Sequence, residues 1–492
     1  MVDVALLLEG TYPYVAGGVS NWVDALIRAM GERTFGLICL LPSRRASRAF
    51  KFSIPSNVTD VVEVYLDETV VHEGEPVEAP AAWAALRDAH HAMLDGQWAA
   101  SASTLEAVVA GHHGGPGVCP AAFGGARQSW DLLVDLYERA ALDSSFLDYF
   151  WTWRYSHAPI FTLLQAEIIP ARLYHAVSTG WAGLLAAIAR KRTGRRFVLT
   201  EHGIYTHERR MEIVQAEWIH DEEQPSSVAA PAGGLREVWA RLFEGLGRIA
   251  YEAADEIYAL DAGNRAHQLA LGAPADKVRI IRNGVRLESY PARSLRAAEA
   301  RFVAGFVGRV VPIKDVKTFI TACRYLVEDV RDLVAYVIGP TDEDSDYFEE
   351  CRQLARLLGM QERIVFTGAV DVRTYYPRLD ALVLTSVSES QPLAILEAWC
   401  AEVPVVVTDV GACREMVLGS DAEDRALGPA GLVTPVGDPE ATAHAMRTLA
   451  RDPAAARRLG ETGRRRVERY YDLRTMIAGY RDVYRRHLEG AS

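Results

Sequence analysis

Short apolar runs alternate with amphipathic segments of helix length through the second half of the chain. Such runs fit strands that are buried on both faces of a parallel sheet, and the amphipathic segments fit the helices that cover it. The predicted strands are 302–307, 333–338, 363–366, 381–384 and 403–407. Segments 316–327 and 346–358 have helical spacing. The pattern predicts an α/β domain with a doubly wound, Rossmann-like sheet.

The first half of the chain begins in the same way. A strand at 4–8 precedes a helix that starts near Val19, and further strands are predicted at 171–177, 197–200 and 256–260. We therefore expect two Rossmann-like domains that face a cleft. Their predicted limits are 1–284 and 285–468, with 469–492 as a C-terminal helix that returns to the first domain. Asn283 and Gly284 suit a backbone bend and predict a hinge there.

Residues 78–165 differ from the rest of the first half. They are rich in Ala and Trp with helical spacing, interrupted by a glycine-rich loop at 111–117, and predict a helical insertion. His90, His91, His112 and His113 raise the alternative of a metal site. Adjacent side chains point apart on a helix and no carboxylate stands at ligand spacing, so we expect solvent-exposed histidines and no metal.

Composition narrows the classes of function. A chain of 492 residues needs at least two hydrophobic cores, and its net charge of −12 argues against nucleic acid as a partner. The six cysteines are scattered without a C-x-x-C pair, as in reduced cytosolic proteins. No apolar run is long enough to span a bilayer. We expect a cytoplasmic protein that reaches a membrane only through partner proteins.

Gly17 and Gly18 lie between the first predicted strand and the following helix. The free N–H groups at a helix N-terminus, together with the helix dipole, form a site for anions. A glycine pair after a strand is about as often only a turn, so both alternatives stay open at this point.

Arg309 and Lys314 follow the first strand of the second domain. Open α/β sheets bind ligands at the carboxyl ends of their strands. A guanidinium fork and an ammonium point charge suit a diphosphate there. The alternative is a pair of solvated surface cations, which the position after a buried strand disfavours.

The stretch from Glu389 to Glu397 is the most informative in the sequence. Pro392 fits the first position of a helix, which would leave the N–H groups of Leu393 and its neighbours available to a ligand. Glu397 then stands inside an apolar helix, where a carboxylate needs hydrogen-bond donors such as sugar hydroxyls. The alternative for Glu397 is a salt bridge within the core.

His202 follows the predicted strand at 197–200. A single histidine is usually structural. This one stands at a carboxyl edge, and we interpret it as a substrate contact.

With these residues in place, the sequence resembles glycosyltransferase family 4, and within it the PelF-type branch of bacterial exopolysaccharide synthesis. Nearly the whole chain takes part in the resemblance. The broad family is marked by the motif at 308–315 and by the E-x7-E pair Glu389 and Glu397, and the branch by the motifs at 9–20 and 200–206. One departure is Ser390, where the family usually has glycine.

The resemblance implies a GT-B fold in which the second domain binds a UDP-sugar and the first binds a glycan acceptor. By this analogy Arg309 and Lys314 hold the diphosphate, and Glu397 holds the ribose. Glu389 and the backbone of Gln391, Pro392 and Leu393 contact the sugar hydroxyls. Gly18 would approach the distal phosphate from the Gly17–Gly18 turn, and His202 the sugar.

The implied reaction is transfer of a hexose with retention of configuration by a front-face mechanism, in which the leaving UDP assists deprotonation of the acceptor. Preorganised cations and helix N–H groups can stabilise the diphosphate, so we expect no metal and no further cofactor. An exopolysaccharide acceptor and an inner-membrane synthesis complex are the expected partners. Three alternatives stay open: an epimerase, a phosphorylase, and a catalytically silent UDP-sugar-binding scaffold.

Overall fold

The computed structural model describes residues 1–44, 49–67, 80–95, 118, 123, 126–140, 144–216, 219, 234–291 and 301–489. The chain divides into two compact units. The first unit comprises Met1–Ala259, Arg265–Ile280 and Arg481–Ser492. The second comprises Leu260–Asn264 and Ile281–Tyr480. Each unit is built on its own parallel sheet, so the predicted architecture of two Rossmann-like α/β domains is confirmed.

The first unit contains a seven-stranded parallel sheet in the order β3-β2-β1-β4-β5-β6-β7. Its strands are β1 (Val2–Glu9), β2 (Phe35–Leu41), β3 (Val58–Tyr65), β4 (Ala171–Ala176), β5 (Arg196–Thr200), β6 (Glu256–Ala259) and β7 (Val278–Ile280). The strand order reverses between β1 and β4. Ligands of such sheets bind at this reversal, outside the carboxyl ends of the strands.

The helices of the first unit connect these strands and include those of the insertion. They are α1 (Gly18–Ala29), α2 (Pro80–Leu94), α3 (Arg127–Ala140), α4 (Phe146–Gln165), α5 (Gly180–Thr193), α6 (Tyr205–Gln215), α7 (Leu235–Ala253) and α8 (Ala262–Ala270). Helix α5 is apolar and buried over most of its length because it packs on the sheet and on α7. Helices α2 to α4 lie within the segment 78–165.

The histidines of the insertion are not the solvated side chains that we expected. Nδ1 of His90 lies 2.7 Å from the carbonyl of Leu86, and its Nε2 lies 3.0 Å from Nε2 of His157. Nε2 of His91 lies 2.5 Å from Oδ2 of Asp135. The expectation fails because these side chains pack between helices of the insertion. His112, His113 and the loop at 111–117 lie outside the described residues.

The second unit contains a six-stranded parallel sheet in the order β10-β9-β8-β11-β12-β13. Its strands are β8 (Phe302–Val307), β9 (Leu333–Ile338), β10 (Ile364–Gly368), β11 (Ala381–Leu384), β12 (Val405–Thr408) and β13 (Gly431–Thr434). The order reverses between β8 and β11. The loops that follow these two strands carry Lys314 and Glu389, so both residues stand at the reversal.

The helices of the second unit cover both faces of this sheet. They are α9 (Val316–Leu326), α10 (Ser345–Leu357), α11 (Leu393–Cys400), α12 (Cys413–Leu418), α13 (Ala422–Arg425), α14 (Pro439–Arg451), α15 (Pro453–Tyr470) and the first part of α16 (Leu473–Glu489). The last part of α16 belongs to the first unit. Among the described residues, no helix is long and apolar enough to cross a membrane. The five described cysteines are buried and unpaired, and Cys119 lies outside the described residues.

Candidate donor site in the second unit

The loops after β8 and β11 are tied to each other by hydrogen bonds. The N–H of Val387 donates to the carbonyl of Ile313 at 2.9 Å, and the Thr385 hydroxyl donates to the carbonyl of Asp315 at 2.8 Å. Asp315 has a left-handed φ of 44° and caps α9 by accepting from the N–H of Thr318. These bonds fix where the short helical turn Pro312–Lys314 ends and so direct Lys314 toward the β11 loop.

Lys314 and Glu389 form the centre of this edge. Nζ of Lys314 lies 2.5 Å from Oε1 of Glu389, and the Ser386 hydroxyl donates to the same oxygen at 2.7 Å. The Lys314 and Glu389 side chains are only 19% and 9% exposed. An ion pair so little exposed to water is screened weakly, so its field acts on a charged ligand nearby. The two residues that the sequence predicted for the diphosphate and for the sugar are therefore in direct contact.

Arg309 is placed differently from Lys314. Its guanidinium pairs with Glu343 in the loop after β9, and its side chain is 36% exposed. The loop after β9 packs closely on the loop after β8, because a Cβ on Gly339, whose φ is 145°, would lie 2.1 Å from the carbonyl oxygen of Gly308. The structure thus brings Arg309 to the same sheet edge, with an acidic partner of its own rather than Glu389.

A metal-dependent transferase would use an Asp-x-Asp pattern, and this chain has two overlapping ones after β9, at 342–344 and 344–346, which the sequence analysis overlooked. Residues 342–346 read Asp-Glu-Asp-Ser-Asp. Asp344 accepts from the N–H of Tyr347 at 2.9 Å and caps α10, and Glu343 is the partner of Arg309. One of the three aspartates, Asp344, therefore has an identified role as a helix cap, and the intervening Glu343 has one in an ion pair. Among the described residues, no three His, Cys, Asp or Glu side chains are grouped so as to hold a metal ion.

Glu397 receives its hydrogen bonds from tyrosine hydroxyls. The Tyr376 hydroxyl donates to Oε2 of Glu397 at 2.7 Å, and Tyr290 also donates to the carboxylate. Burial raises the pKa of the Glu397 carboxyl, and the two phenol donors oppose that shift. Among the described residues, no ion pair involves Glu397, which removes the alternative of a core salt bridge. Glu397 is half-buried, so it retains access to a ligand.

We predicted that Pro392 is the first residue of helix α11, but it is the N-cap of that helix. Its φ of −69° suits either position, but its ψ of 121° is extended, and its carbonyl accepts from the N–H of Ile395 at 3.2 Å. Helix α11 therefore begins at Leu393. The first N–H groups of the helix, from Leu393 onward, have no acceptor within it, so the anion site at these groups stays a prediction.

The loop that precedes α11 depends on a glycine that the sequence analysis missed. Gly411 has a φ of 49°, and a Cβ there would lie 1.8 Å from the carbonyl oxygen of Glu389. The N–H of Ala412 donates to the carbonyl of Ser390 at 2.9 Å. Ser390 itself is not among the residues with positive φ, so a side chain at this position, where the family usually has glycine, is accommodated without backbone strain.

The first unit presents a second set of predicted residues at the carboxyl ends of β1 and β5. Gly17 is the N-cap of α1, with an extended backbone and no side-chain cap, and a Cβ there would meet no atom within 4 Å. The N-terminus of α1 is thus open to an anion. His202 packs edge-on against Trp22 of the same helix, with ring centroids 4.5 Å apart. The structure therefore joins His202 to the helix that begins at Gly18.

Burial lowers the pKa of His202 to about 3, so the ring is neutral at physiological pH. Its Nε2 is buried without a hydrogen-bond partner among the described residues. Its neighbour Glu201 is a structural anchor, because it accepts from Thr179, from Tyr251 and from Gln268. The carboxylate of Glu9 likewise accepts from the Tyr205 hydroxyl and Arg209, among others.

Two family models and several curated proteins are similar to this chain. A family model described as "Domain of unknown function (DUF3492)" matches residues 2–276, and one described as "Glycosyl transferases group 1" matches residues 301–452. The D-inositol 3-phosphate glycosyltransferase of Kribbella flavida is 27% identical over 65% of this chain and 74% of that protein. The enzyme of the same name from Kineococcus radiotolerans is 29% identical over 48% of this chain, and the match covers 58% of that protein.

Two solved structures share the fold over almost the whole chain. Anabaena HepE in complex with UDP and glucose has a TM-score of 0.59 at 16% identity and covers 98% of this chain and 99% of that one. Sucrose-phosphate synthase from Thermosynechococcus elongatus has a TM-score of 0.59 at 16% identity and covers all of both chains. At these identities the likeness concerns the fold, which is the GT-B fold of glycosyltransferases.

Proposed function

We propose a reaction for this chain from one premise: the chain belongs to the DUF3492 family and is a group 1 glycosyltransferase with a GT-B fold. The proposed reaction is the transfer of a hexose, glucose or an N-acetylhexosamine, from a UDP-sugar to a glycan acceptor with retention of configuration. The observation that carries the proposal is the Lys314–Glu389 ion pair beside the N-terminus of α11, at the point where the sheet order reverses.

The second unit would bind the donor. Lys314 and the first N–H groups of α11 present positive charge and hydrogen-bond donors, the combination that suits a diphosphate. Arg309 would exchange its exposed partner Glu343 for the diphosphate. Glu397, oriented by two phenol hydroxyls, would accept from the ribose hydroxyls. Support for UDP as the nucleotide comes from Anabaena HepE, whose structure was determined with UDP and glucose.

The chemistry would consist of stabilising the leaving diphosphate. Negative charge grows on the diphosphate as the glycosidic bond breaks, and preorganised donors stabilise this charge most strongly when water is excluded. Lys314 and the α11 N–H groups are such donors, and they need no metal ion to act. Glu389 would hold Lys314 in place and accept from a hydroxyl of the sugar. The departing diphosphate would take the proton of the acceptor hydroxyl.

The first unit would bind the acceptor, with the N-terminus of α1 as a site for an anionic group and His202 as a neutral contact to a sugar. We further propose the PelF-type role, in which the acceptor is a growing bacterial exopolysaccharide and the chain works in the cytoplasm beside an inner-membrane synthesis complex. The motifs at 9–20 and 200–206 support this finer assignment.

The test is a panel of UDP-sugars offered to the purified chain, with release of UDP and thermal stabilisation measured for each. One UDP-hexose should release UDP and raise the melting temperature, whereas the Lys314→Met variant should release UDP roughly 100-fold more slowly. Binding without release, with or without glycan acceptors, would support the silent scaffold instead. An epimerase would interconvert the sugars and release no UDP.

A further inference from the structure

The side chains of Ser390 and Gln391 form hydrogen bonds with residues far from them in the sequence. Gln391 is buried, and its Oε1 accepts from the backbone N–H of Asn283 at 2.6 Å. Its Nε2 donates to the carbonyl of Leu260 at 3.2 Å. The backbone carbonyl of Gln391 also accepts from the Asn283 amide at 3.3 Å. A single glutamine thus joins the loop after β11 to two distant parts of the chain.

Ser390 makes a parallel connection. The Asn264 side-chain amide donates to the Ser390 hydroxyl, and Asn264 is itself held by Asp261, whose Oδ1 accepts from the Asn264 N–H at 2.8 Å. Asn264 and Asp261 are both buried. Hydrogen bonds between buried polar groups are costly to break because each group left without a partner stays desolvated.

The partners of Ser390 and Gln391 share one property. Leu260 and Asn264 are the first and last residues of a short segment that belongs to the second unit, although the residues on either side of it belong to the first. Asn283 follows the point at Ile280–Ile281 where the chain passes from the first unit to the second. Glu389 is the residue next to Ser390, and its carbonyl is pressed against Gly411 from the other side. The loop that carries Glu389 is therefore fixed between Gly411 and the segments where the chain crosses between units.

We propose that Ser390 and Gln391 are positioning residues, which hold Glu389 in its active geometry by bonding to the crossing segments at Leu260–Asn264 and Asn283. This role rests on the proposed function of the Glu389 loop. The consequence is that displacement of either crossing segment displaces the loop that carries Glu389 and alters its contact with Lys314, whereas Glu397 keeps its hydrogen bond from Tyr376.

The first test compares Gln391→Met with Gln361→Met. The first variant removes both side-chain hydrogen bonds at nearly constant volume, and the second makes the same replacement at an exposed site on the same unit. Gln391→Met should lower the turnover of UDP-sugar about tenfold or more, because small misplacement of a reacting group is costly. Its UDP affinity should stay within about twofold, since Glu397 and Lys314 are intact. Gln361→Met should change neither quantity.

The second test is a double-mutant cycle on turnover with Ser390→Ala and Asn264→Ala. If the two side chains act through their mutual bond, the double variant should be no slower than the slower single variant. Ser390→Thr keeps the hydroxyl and should restore turnover. Additive losses in the cycle, wild-type turnover in Gln391→Met, or equal losses of turnover and UDP affinity would each overturn the proposal.

Amide hydrogen exchange gives a reading that does not depend on activity. In Gln391→Met, amides in residues 386–393 and 260–264 should exchange about tenfold faster together, while those of β11 keep their protection. If the wild type turns over no UDP-sugar but the exchange changes as expected, the proposed function fails and the mechanical link stands. Unchanged exchange at both segments would refute the link itself.

Discussion

Replacing Glu397 with glutamine should weaken nucleotide binding and leave the stability of the folded chain almost unchanged. Tyr376 and Tyr290 donate to the carboxylate, and a glutamine can still accept from Tyr376 through its amide oxygen. Loss of the charge relieves the desolvation that raises the pKa of Glu397, so the folded state should lose little stability. The Glu397→Gln variant should therefore keep its melting temperature within a few degrees of the wild type.

The effect on UDP follows from the loss of charge assistance. A hydrogen bond to a charged group contributes about 1.5–3 kcal/mol, whereas a neutral one contributes about 0.5–1.5 kcal/mol. The ribose bond should weaken by about 1–2 kcal/mol, which raises the Kd for UDP by about 5- to 30-fold. Because the pKa of Glu397 is raised, its carboxylate should be protonated, and UDP binding weakened, at a higher pH than for an ordinary carboxyl group. This pH dependence should be lost in Glu397→Gln.

Isothermal titration calorimetry with UDP measures this change directly. The matched control is Glu349→Gln, an exposed carboxylate on α10 of the same unit that pairs with Arg352. The control should bind UDP like the wild type. A change of less than about twofold in Glu397→Gln would refute the ribose contact and leave Glu397 as a partner of the tyrosines only.

The remaining predictions use the same preparations. Glu389→Gln should lower turnover and change UDP affinity little, because UDP lacks the hexose that Glu389 contacts; equal losses of both would show that Glu389 is misassigned. Lys314→Ala and Arg309→Ala should each lower turnover by roughly 100-fold with an intact circular dichroism spectrum, and near-native rates in both would remove the diphosphate assignment. Turnover should persist in excess EDTA, and a loss that Mg²⁺ or Mn²⁺ restores would contradict the metal-free proposal. Burial lowers the pKa of the His175 imidazole to about 3, below its value near 6.5 in the unfolded chain. As pH falls, the unfolded chain binds a proton that the folded chain does not, so the free energy of unfolding should decrease by about 2 kcal/mol at pH 5. Urea unfolding at pH 7 and pH 5 should show a smaller pH dependence in His175→Gln, and an unchanged one would contradict this.

The sequence predicted most of the strands that are buried on both faces, and two of those that it missed have a weaker pattern. Strands β8, β9 and β11 have the predicted bounds because each is a continuous apolar run. Strand β3 lies at the sheet edge, where charged residues interrupt its pattern, and β7 has only three residues. Our prediction also omitted β2, although its seven buried residues carry the same signal as β1.

Some residues of the candidate site could be predicted from the sequence and others could not. Lys314, Glu389 and Glu397 could be predicted because each stands at a fixed spacing from a strand or helix signal. Tyr290 and Tyr376, which hold Glu397, could not, because their proximity arises only when separate segments of the second unit pack together. The contacts of Gln391 with Leu260 and Asn283 span more than a hundred residues and leave no local pattern.

A crystal structure of the chain with UDP would show directly where the second unit binds the nucleotide. We expect the diphosphate to lie within hydrogen-bond distance of Lys314 Nζ and of the Leu393 N–H, and the ribose hydroxyls to donate to Glu397. A nucleotide bound elsewhere, with Lys314 still paired only to Glu389 and the N-terminus of α11 unused, would contradict this expectation.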